Sequence, residues 1–246
     1  MLAVHAERMA SSEARPNLRV YAMDGALLGL FMVSACASVV LAEHPASSVR
    51  RLVDSELLRR ALVGAAMGLT AVGLIYSPWG KRSGAFMNPA MTLCFLRLRK
   101  LGPLDAAGYI VAQLLGGTLG VVASSLLLGA RLGAPAVNYV VTAPGSPGAG
   151  VAWLAEFAIS FVMVTVVMTV KRVPCLADRT GFFAGALVAL FITFEAPLSG
   201  MSLNPARSFA SSVVANSWNG WWIYLTAPVL GMLAGTELER ARSNES

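Results

Sequence analysis

The sequence predicts an all-α membrane protein with six transmembrane helices plus two re-entrant half-helices in an inverted repeat. The first observation is composition, since 56% of the 246 residues are hydrophobic and only 13% are charged. In a soluble domain about 25% of the residues are charged. The second is an Asn-Pro-Ala triplet that occurs twice within apolar sequence, at 88–90 and 204–206. The third is a set of glycines at matching distances from the two triplets.

The six spans are apolar stretches that reach or approach the roughly 20 residues that a membrane helix needs. Four carry no charged residue, and two carry one carboxylate each, Glu156 and Glu195. In chain order the spans are residues 25–42, 61–80, 106–130, 151–170, 181–198 and 208–236. The N-terminal residues are polar and lack the apolar core of a signal peptide, so we do not expect a cleaved leader.

Glycine spacing indicates that the two halves of the chain are duplicates. Gly64 lies 24 residues before Asn88, and Gly181 lies 23 residues before Asn204. Five spans also contain a G-x-x-x-G pair, which lets membrane helices approach closely. The pairs are Gly25/Gly29, Gly64/Gly68, Gly116/Gly120, Gly181/Gly185 and Gly231/Gly235. Because each copy has three spans, an odd number, the second copy must cross the membrane in the opposite orientation.

These features predict five segments along the chain. They are an N-terminal tail (1–20), a first repeat (21–130), a connecting loop (131–150), a second, inverted repeat (151–236) and a C-terminal tail (237–246). Each repeat has three spans and one half-helix, which starts near Asn88 in the first copy and near Asn204 in the second.

The net charge of +6 comes from basic residues in loops and tails rather than on one helix face, so we expect no nucleic-acid partner. Their distribution places both termini in the cytoplasm by the positive-inside rule. On that side they are Arg8, Arg15, Arg19, Lys81, Arg82, Arg97, Arg99, Lys100, Lys171, Arg172, Arg179, Arg240 and Arg242. On the opposite side they are Arg50, Arg51, Arg59, Arg60 and Arg131.

The two triplets predict helices that start in the middle of the membrane. Asparagine is a favoured N-cap, and proline fits the first helical turn, so α-helices should begin at Pro89 and Pro205. Ala90 and Ala206 are small enough for two helix starts to meet. An isolated Asn-Pro-Ala triplet is usually a turn, and it is the symmetrical placement of two copies that favours a pore.

The meeting point should act as a filter. We expect each asparagine oxygen to cap its own helix and each amide NH₂ to face the cavity as a donor. Two donors and two positive helix ends would orient water through its oxygen and disfavour cations and protons. Irregular backbone at membrane depth must line a cavity or be buried, so we expect the approaches 81–87 and 195–203 to present free carbonyl groups.

Arg207, Asp24 and Glu156 are charged residues within or at the edge of the predicted spans to which we assign a role, because buried charge is costly in a membrane. Arg207, one turn into the second half-helix, is predicted to face the pore, donate to solute and repel cations. The alternative is a structural partner for Glu195 or another carboxylate. Asp24 and Glu156 are duplicated acids, which we expect to hold the irregular loops by accepting hydrogen bonds; a proton relay is the alternative.

The sequence offers no site for a cofactor or a metal ion. Cys36, Cys94 and Cys175 are far apart in the chain, so we interpret each as a small apolar filler. The spans contain no paired carboxylates, metal-ligand cluster or nucleophile–base pair, so we predict no catalytic residues and no enzymatic function.

With these residues the chain resembles the aquaporin, or major intrinsic protein, family over about residues 21–235. The matching residues are Ser83-Gly84-Ala85, Asn88-Pro89-Ala90, Tyr109, Gln113, Gly116, Glu156, Asn204-Pro205-Ala206-Arg207-Ser208, Tyr224 and Pro228. The resemblance implies an aquaporin-like fold shaped as an hourglass, one pore per subunit and a homotetramer in the lipid bilayer. A compact chain without a leader fits a bacterial-type member in the inner (plasma) membrane.

In that family four residues form the narrowest ring of the pore. By position the ring here is Met67, Ile192, Met201 and Arg207, with Gly68 as the alternative to Met67. Water-selective members usually have an aromatic residue and a histidine at the first two positions, so this ring is more apolar.

Two further positions differ from family members. Phe86 stands where the family has a loop-supporting histidine. Ser208 follows Arg207, whereas glycerol-conducting members typically have aspartate there.

We therefore predict a passive channel for water, which also admits small neutral solutes and excludes ions and protons. The alternative is a facilitator chiefly for glycerol or other small uncharged solutes, suggested by the aliphatic ring. An ion-coupled transporter would also have inverted repeats and broken helices, but the symmetry of the two triplets argues against it.

Overall fold

The computed structural model describes residues 17–244, so positions 1–16 and 245–246 of the predicted tails, with Arg8 and Arg15, lie outside it. The described residues form eleven α-helices, joined by turns and short 3-10 segments. In chain order they are α1 (Leu18–Glu43), α2 (Ser48–Leu52), α3 (Glu56–Tyr76), α4 (Pro78–Ser83), α5 (Pro89–Arg97), α6 (Pro103–Leu128), α7 (Ala149–Arg172), α8 (Thr180–Phe194), α9 (Ala196–Ser199), α10 (Pro205–Ala215) and α11 (Trp221–Asn244).

Five of the described helical segments are long and apolar enough to cross a membrane. They are α1, α3, α6 with the 3-10 turn that follows it to Arg131, α7, and α8 with the 3-10 turn that precedes it from Ala177. The sixth predicted span corresponds to α11, which has 24 residues. Its last turns carry Glu237, Glu239, Arg240 and Arg242, so the helix as a whole is less apolar. It also continues past residue 236, after which the sequence predicted a tail.

Two helices end sooner than the sequence predicted, and both breaks precede a re-entrant loop. Helix α3 ends at Tyr76 because the Ser77 hydroxyl accepts a hydrogen bond from the Gly80 N–H at 2.9 Å and so caps a new helix. Helix α8 ends at Phe194, and Pro197 lies in the first turn of α9. Proline has no N–H and therefore fits the first turn of a helix, so a proline after each break favours the start of a new short helix.

Three helix pairs form the body of the molecule, namely α1 with α6, α3 with α8, and α7 with α11. Glycines lie at the crossings. A Cβ on Gly116 would lie 2.0 Å from the carbonyl oxygen of Gly25, and one on Gly68 would lie 2.5 Å from that of Gly185. No side chain fits at these distances, so the backbones are in direct contact, as the G-x-x-x-G pairs predict.

We expect Gly116→Ala to lower the free energy of unfolding by about 1–3 kcal/mol, the usual cost of overpacking, because α1 and α6 would have to separate. The matched control is Gly73→Ala in α3, where nothing lies within 4 Å of the added carbon. There the better helix propensity of alanine should stabilise by up to about 1 kcal/mol. Unfolding of both variants in the same detergent measures the difference, and equal stabilities would contradict the close contact.

The half-helices α5 and α10 leave the centre of the molecule toward opposite faces. Arg97 at the end of α5 pairs with Glu237 in the last turns of α11 at 2.8 Å. Helix α10 ends at Ala215, shortly before α11 begins at Trp221. Their nine and eleven residues rise about 14 Å and 17 Å, which together match the ~30 Å hydrocarbon core of a bilayer.

The two repeats interlock through these half-helices. Helix α5 of the first repeat packs on α11 of the second, and α10 of the second packs on α6 of the first. The connecting loop also packs inward, because Leu132, Val137 and Val140 are buried in the core formed with α1 and α10. The centre of the molecule is therefore built from both copies.

Candidate pore at the meeting point of two half-helices

Each half-helix is preceded by a loop with the same pattern, Ser-Gly-x-x-x-Asn-Pro-Ala, at 83–90 and 199–206. In both copies the serine ends a short helix, and the next residue is a left-handed glycine, with φ of 88° at Gly84 and 80° at Gly200. Two further residues of each loop have positive φ, namely Ala85, Met87, Met201 and Leu203. Left-handed backbone is uncommon at such residues, so outside contacts must hold both loops.

The irregular backbone is shorter than the sequence predicted. It covers 84–88 and 200–204 rather than 81–87 and 195–203. Helices α4 and α9 take up the first part of each approach, and their turns pair some of the backbone groups that would otherwise lack a partner where water is absent. The Gly84 N–H donates to the Gly80 carbonyl group, and the Gly200 N–H donates to that of Ala196.

Each triplet asparagine caps its own half-helix, as the sequence predicts. The Asn88 side-chain oxygen accepts from the Ala90 N–H at 2.8 Å. The Asn204 oxygen accepts from the N–H groups of Ala206 and Arg207 at 3.0 and 3.3 Å. Proline follows both asparagines at the first helical position, so no further donor is left at that position.

The amide nitrogens join the two copies, which the sequence analysis did not anticipate. Asn88 Nδ2 donates to the Leu203 carbonyl oxygen at 2.8 Å. Asn204 Nδ2 donates to the Met87 carbonyl oxygen at 2.6 Å. One N–H of each amide is thus used across the centre, and one is left for the cavity, which both asparagines line. The expectation that the carbonyls of Met87 and Leu203 are free is wrong for the same reason.

Asp24 of α1 holds the first loop. It accepts from the Ser83 hydroxyl at 3.1 Å and from the Met87 N–H at 2.8 Å. Gln113 of α6 donates to the same carboxylate at 2.7 Å and also contacts the Thr92 hydroxyl at 3.1 Å. Asp24 is fully buried, so its charge is balanced by these donors rather than by water.

Glu156 of α7 occupies the equivalent place at the second loop. It accepts from the Ser199 hydroxyl at 2.7 Å and from the N–H groups of Ser202 and Leu203 at 2.6 and 2.8 Å. Like Asp24, Glu156 is fully buried. The donors around both acids belong mainly to the loops, which favours the loop-holding role over a proton relay.

Two buried tyrosines complete the support of the loops. Tyr109 donates to the Ser83 carbonyl oxygen at 2.7 Å, and Tyr224 donates to the Ser199 carbonyl oxygen at 2.6 Å. The sequence analysis assigned these residues no role. Their spacing carried the signal, since they follow the two serines by 26 and 25 residues.

A cavity of about 1430 Å³ passes both asparagines and reaches both ends of the bundle. The four residues assigned to the ring, Met67, Ile192, Met201 and Arg207, all line it. Gly68 instead faces the backbone of α8, where its added Cβ would lie 2.5 Å from a carbonyl oxygen. Between the two alternatives in α3, it is therefore Met67 that lines the cavity.

Arg207 is held by the connecting loop rather than by a carboxylate. Its Nη1 donates to the Val140 carbonyl oxygen at 2.8 Å, and no ion pair of Arg207 occurs in the described part of the chain. Three consecutive left-handed residues, 138–140, present that carbonyl group. Arg207 therefore does not pair with Glu195, which was the alternative left open by the sequence.

Phe86 and Ser208, the two positions that differ from family members, make different kinds of contact from each other. The Phe86 ring lies 4.6 Å from that of Phe95 and 4.9 Å from that of Tyr109, so apolar packing stabilises the loop at this position. Ser208 is buried, with its oxygen 2.6 Å from that of Ser202 and 2.7 Å from that of Thr142. It supports the second loop and does not line the cavity.

The described residues include no group of three His, Cys, Asp or Glu side chains that could hold a metal ion. Cys36 and Cys94 are buried, consistent with small apolar fillers. Cys175 is exposed in the turn after α7, so the filler interpretation is wrong for that residue.

Six long helices and two half-helices that meet head to head around a cavity define an integral membrane protein with an aquaporin-like fold, as the sequence predicts. The chain belongs to the major intrinsic protein family, which matches residues 22–238.

Individual relatives agree with this assignment. The chain is 30% identical to Aquaporin NIP1-1 of Arabidopsis thaliana, over 82% of this chain and 66% of that protein. It is 34% identical to Aquaporin NIP1-2 of Oryza sativa subsp. japonica, over 70% of this chain and 57% of that protein. It thus spans less than two thirds of the length of either plant relative. An X-ray structure of the aquaglyceroporin from Plasmodium falciparum shares the fold, with a TM-score of 0.72 at 17% identity, over 92% of this chain and 98% of that chain.

Proposed function

We propose that the protein is a passive channel that conducts water down osmotic gradients, admits small neutral solutes and excludes ions and protons. The observation that carries the proposal is the pair of capped helix starts at Asn88 and Asn204, which meet in the cavity. Each helix start carries about half a positive charge, and each asparagine keeps one N–H for a passing molecule. A water oxygen can accept hydrogen bonds from both asparagine N–H groups, whereas the positive helix ends repel a cation.

The proposed filter is the ring of Met67, Ile192, Met201 and Arg207. Three of its members offer no strong hydrogen bond, so a hydrated ion would lose its water without replacement. Arg207 keeps guanidinium N–H groups beyond the one bonded to Val140 and can donate them to a neutral solute. Flexible methionine side chains let the width of the ring adapt.

The test is osmotic shrinkage of vesicles that contain the purified protein, compared with protein-free vesicles, for water, glycerol and urea side by side. A channel should give fast, non-saturating flux without a coupling ion. Rates equal to those of protein-free vesicles for all three solutes would contradict the proposal, and saturable, gradient-coupled uptake would favour a transporter.

The second candidate is a facilitator chiefly for glycerol or other small uncharged solutes. The apolar ring favours it, and the structural neighbour is named an aquaglyceroporin. The buried Ser208 beside Arg207 argues for water, because the resemblance associates aspartate at that position with glycerol. A glycerol flux greater than the water flux in the same vesicles would select this candidate.

We expect Arg207→Ala to raise the leak of cations and larger solutes about tenfold, the effect of lowering a barrier by ~1.4 kcal/mol, because the charge in the ring is lost. The control is Arg131→Ala, which removes an exposed arginine of the connecting loop. Dye-monitored ion flux measures both variants. Unchanged selectivity in Arg207→Ala would remove this residue from the filter.

The organisation of the protein in its membrane is also part of the proposal. We propose a homotetramer in a bacterial inner membrane with both termini in the cytoplasm, supported by the family and by the excess of basic residues on one side. The proposed segments are the tails 1–20 and 237–246, the repeats 21–130 and 151–236, and the connecting loop 131–150.

A further inference from the structure

Glu195 is a buried acid that the proposed conduction mechanism does not use. It lies between α8 and α9 and is 8% exposed. Its Oε1 lies 2.5 Å from the Ser199 hydroxyl oxygen, and its Oε2 has no hydrogen-bond partner among the described residues. The same hydroxyl oxygen lies 2.7 Å from Oε1 of Glu156. One serine hydroxyl thus lies between two buried carboxyl groups.

The number of hydrogens available to the two contacts of Ser199 determines whether both carboxyl groups can be ionised. A serine hydroxyl has one hydrogen to donate and two lone pairs that accept. If both carboxyl groups were ionised, one of the two short oxygen–oxygen contacts would contain no hydrogen. If Glu195 is protonated, it donates to Ser199, and Ser199 donates to Glu156. The second lone pair of Ser199 accepts from the Met201 N–H at 3.1 Å, so each capacity of the hydroxyl is used.

The surroundings assign the proton to Glu195 rather than to Glu156. Glu156 accepts two backbone N–H groups besides the hydroxyl, and such donors favour a charged carboxylate. Glu195 has only the one contact and an unpartnered oxygen. A buried ionised carboxylate with so few donors is strongly unfavourable, whereas burying a neutral carboxylic acid costs far less.

We propose that Glu195 is a neutral carboxylic acid that positions the second re-entrant loop through Ser199, and that conduction falls when it loses its proton. This inference rests on the proposed channel function. Ser199 connects Glu195 to Met201, a residue of the proposed ring. With Glu195 ionised, one of the two contacts of Ser199 would contain no hydrogen and the two carboxylates would repel each other, so the loop would lose its fixed geometry. The supporting form is therefore present at low pH and lost as pH rises.

The charged and titratable groups that face this acid come from several elements. Glu156 of α7 and Tyr224 of α11 lie close enough to act on it directly. Arg207 of α10 acts on Glu156 instead, and Arg60 of α3 donates to the carbonyl oxygen of Thr193, two residues before Glu195. Helix α8 and residues 141–148, which also pack here, contain no titratable side chain in the described chain. None of these groups supplies Glu195 with a direct cationic partner.

The first repeat provides an internal comparison. Ser83 is the counterpart of Ser199, and its hydroxyl contacts a single carboxylate, Asp24. The residue four positions before Ser83 is Trp79, where the second copy has Glu195. The second acid is therefore a feature of one loop only, and a pH effect should act on that loop.

The experiment is water permeability of reconstituted vesicles from about pH 5 to about pH 9, the range in which buried carboxyl groups titrate. We expect the wild type to lose conduction severalfold as pH rises. Glu195→Gln should keep the acidic-form rate at every pH, because its amide NH₂ donates to Ser199 as the protonated acid does. The control, Glu56→Gln, removes an acid whose side chain is 75% exposed and should follow the wild type.

Infrared spectroscopy gives a readout that does not depend on conduction. The wild-type protein at neutral pH should show the carbonyl stretch of a protonated carboxylic acid, which is lost in Glu195→Gln and retained in Glu56→Gln. A wild type that conducts equally at all pH values, or a missing band, would overturn the inference while leaving the channel function intact. If no variant conducts at any pH, the channel function fails, and the infrared band alone decides whether Glu195 is protonated.

Discussion

Glu156→Leu is expected to abolish water permeability and to destabilise the protein strongly. Leucine has a similar volume but accepts no hydrogen bond, so the N–H groups of Ser202 and Leu203 lose their acceptor. The Ser199 hydroxyl keeps only its contact with Glu195. Each buried donor left unpaired costs about 1–3 kcal/mol. Two of them approach the lower end of the roughly 5–15 kcal/mol by which a native protein is stable.

The measurements are thermal unfolding and the water permeability per folded protein in vesicles. Glu156→Gln should fall between the leucine variant and the wild type, because one amide oxygen remains as an acceptor while the NH₂ faces a backbone donor. Glu237→Gln is the control, since this side chain is 46% exposed and pairs with Arg97 at the surface. Normal permeability in Glu156→Leu would contradict the loop-holding role.

Asn204→Asp is expected to reduce water conduction about tenfold or more, equivalent to at least ~1.4 kcal/mol in the barrier, and to admit protons and cations. The two side chains have the same shape, and one oxygen can still cap α10. The other oxygen would replace the amide that donates to the Met87 carbonyl group at 2.6 Å, so two acceptors would face each other. An ionised aspartate would also offset the positive helix ends that repel cations.

Stopped-flow shrinkage and a pH-sensitive dye inside the vesicles measure both effects of Asn204→Asp. The matched control is Asn216→Asp, because Asn216 ends α10 in a left-handed conformation and lies away from the cavity. If Asn204→Asp conducted water and excluded protons like the wild type, the bond across the centre would have no part in conduction.

Features with local causes were predictable from the sequence. The starts of α5 and α10 follow from Asn-Pro, since capping and the fixed φ of proline act within a few residues. The close contact of α1 and α6 follows from Gly25 and Gly116, because small residues at helical spacing have few other uses in a membrane.

Features that depend on the meeting of distant segments were not predictable. The amides of Asn88 and Asn204 bond to the opposite loops, 115 and 117 residues away in sequence. No local pattern encodes such a pairing. The choice between Met67 and Gly68 likewise depended on the rotation of α3 against α8, and the contact of Glu195 with Ser199 on a helix break at Phe194.

Besides the spacing of the two tyrosines, a second signal was present in the sequence and was missed. The pattern Ser-Gly-x-x-x-Asn-Pro-Ala occurs in both repeats, and its serines bond Asp24 and Glu156 in matching ways. Comparison of the two copies over eight residues rather than three would have predicted both contacts. It would also have shortened the expected irregular segments.

The central claim is that the two half-helices enter from opposite faces and meet at Asn88 and Asn204. The most direct test is an electron cryomicroscopy structure of the full chain in a lipid nanodisc, at a resolution that shows side-chain amides. We expect Asn88 within hydrogen-bond distance of the Leu203 carbonyl group, and Asn204 within the same distance of that of Met87. Density that separates α5 from α10, or that brings both in from one face, would contradict the account.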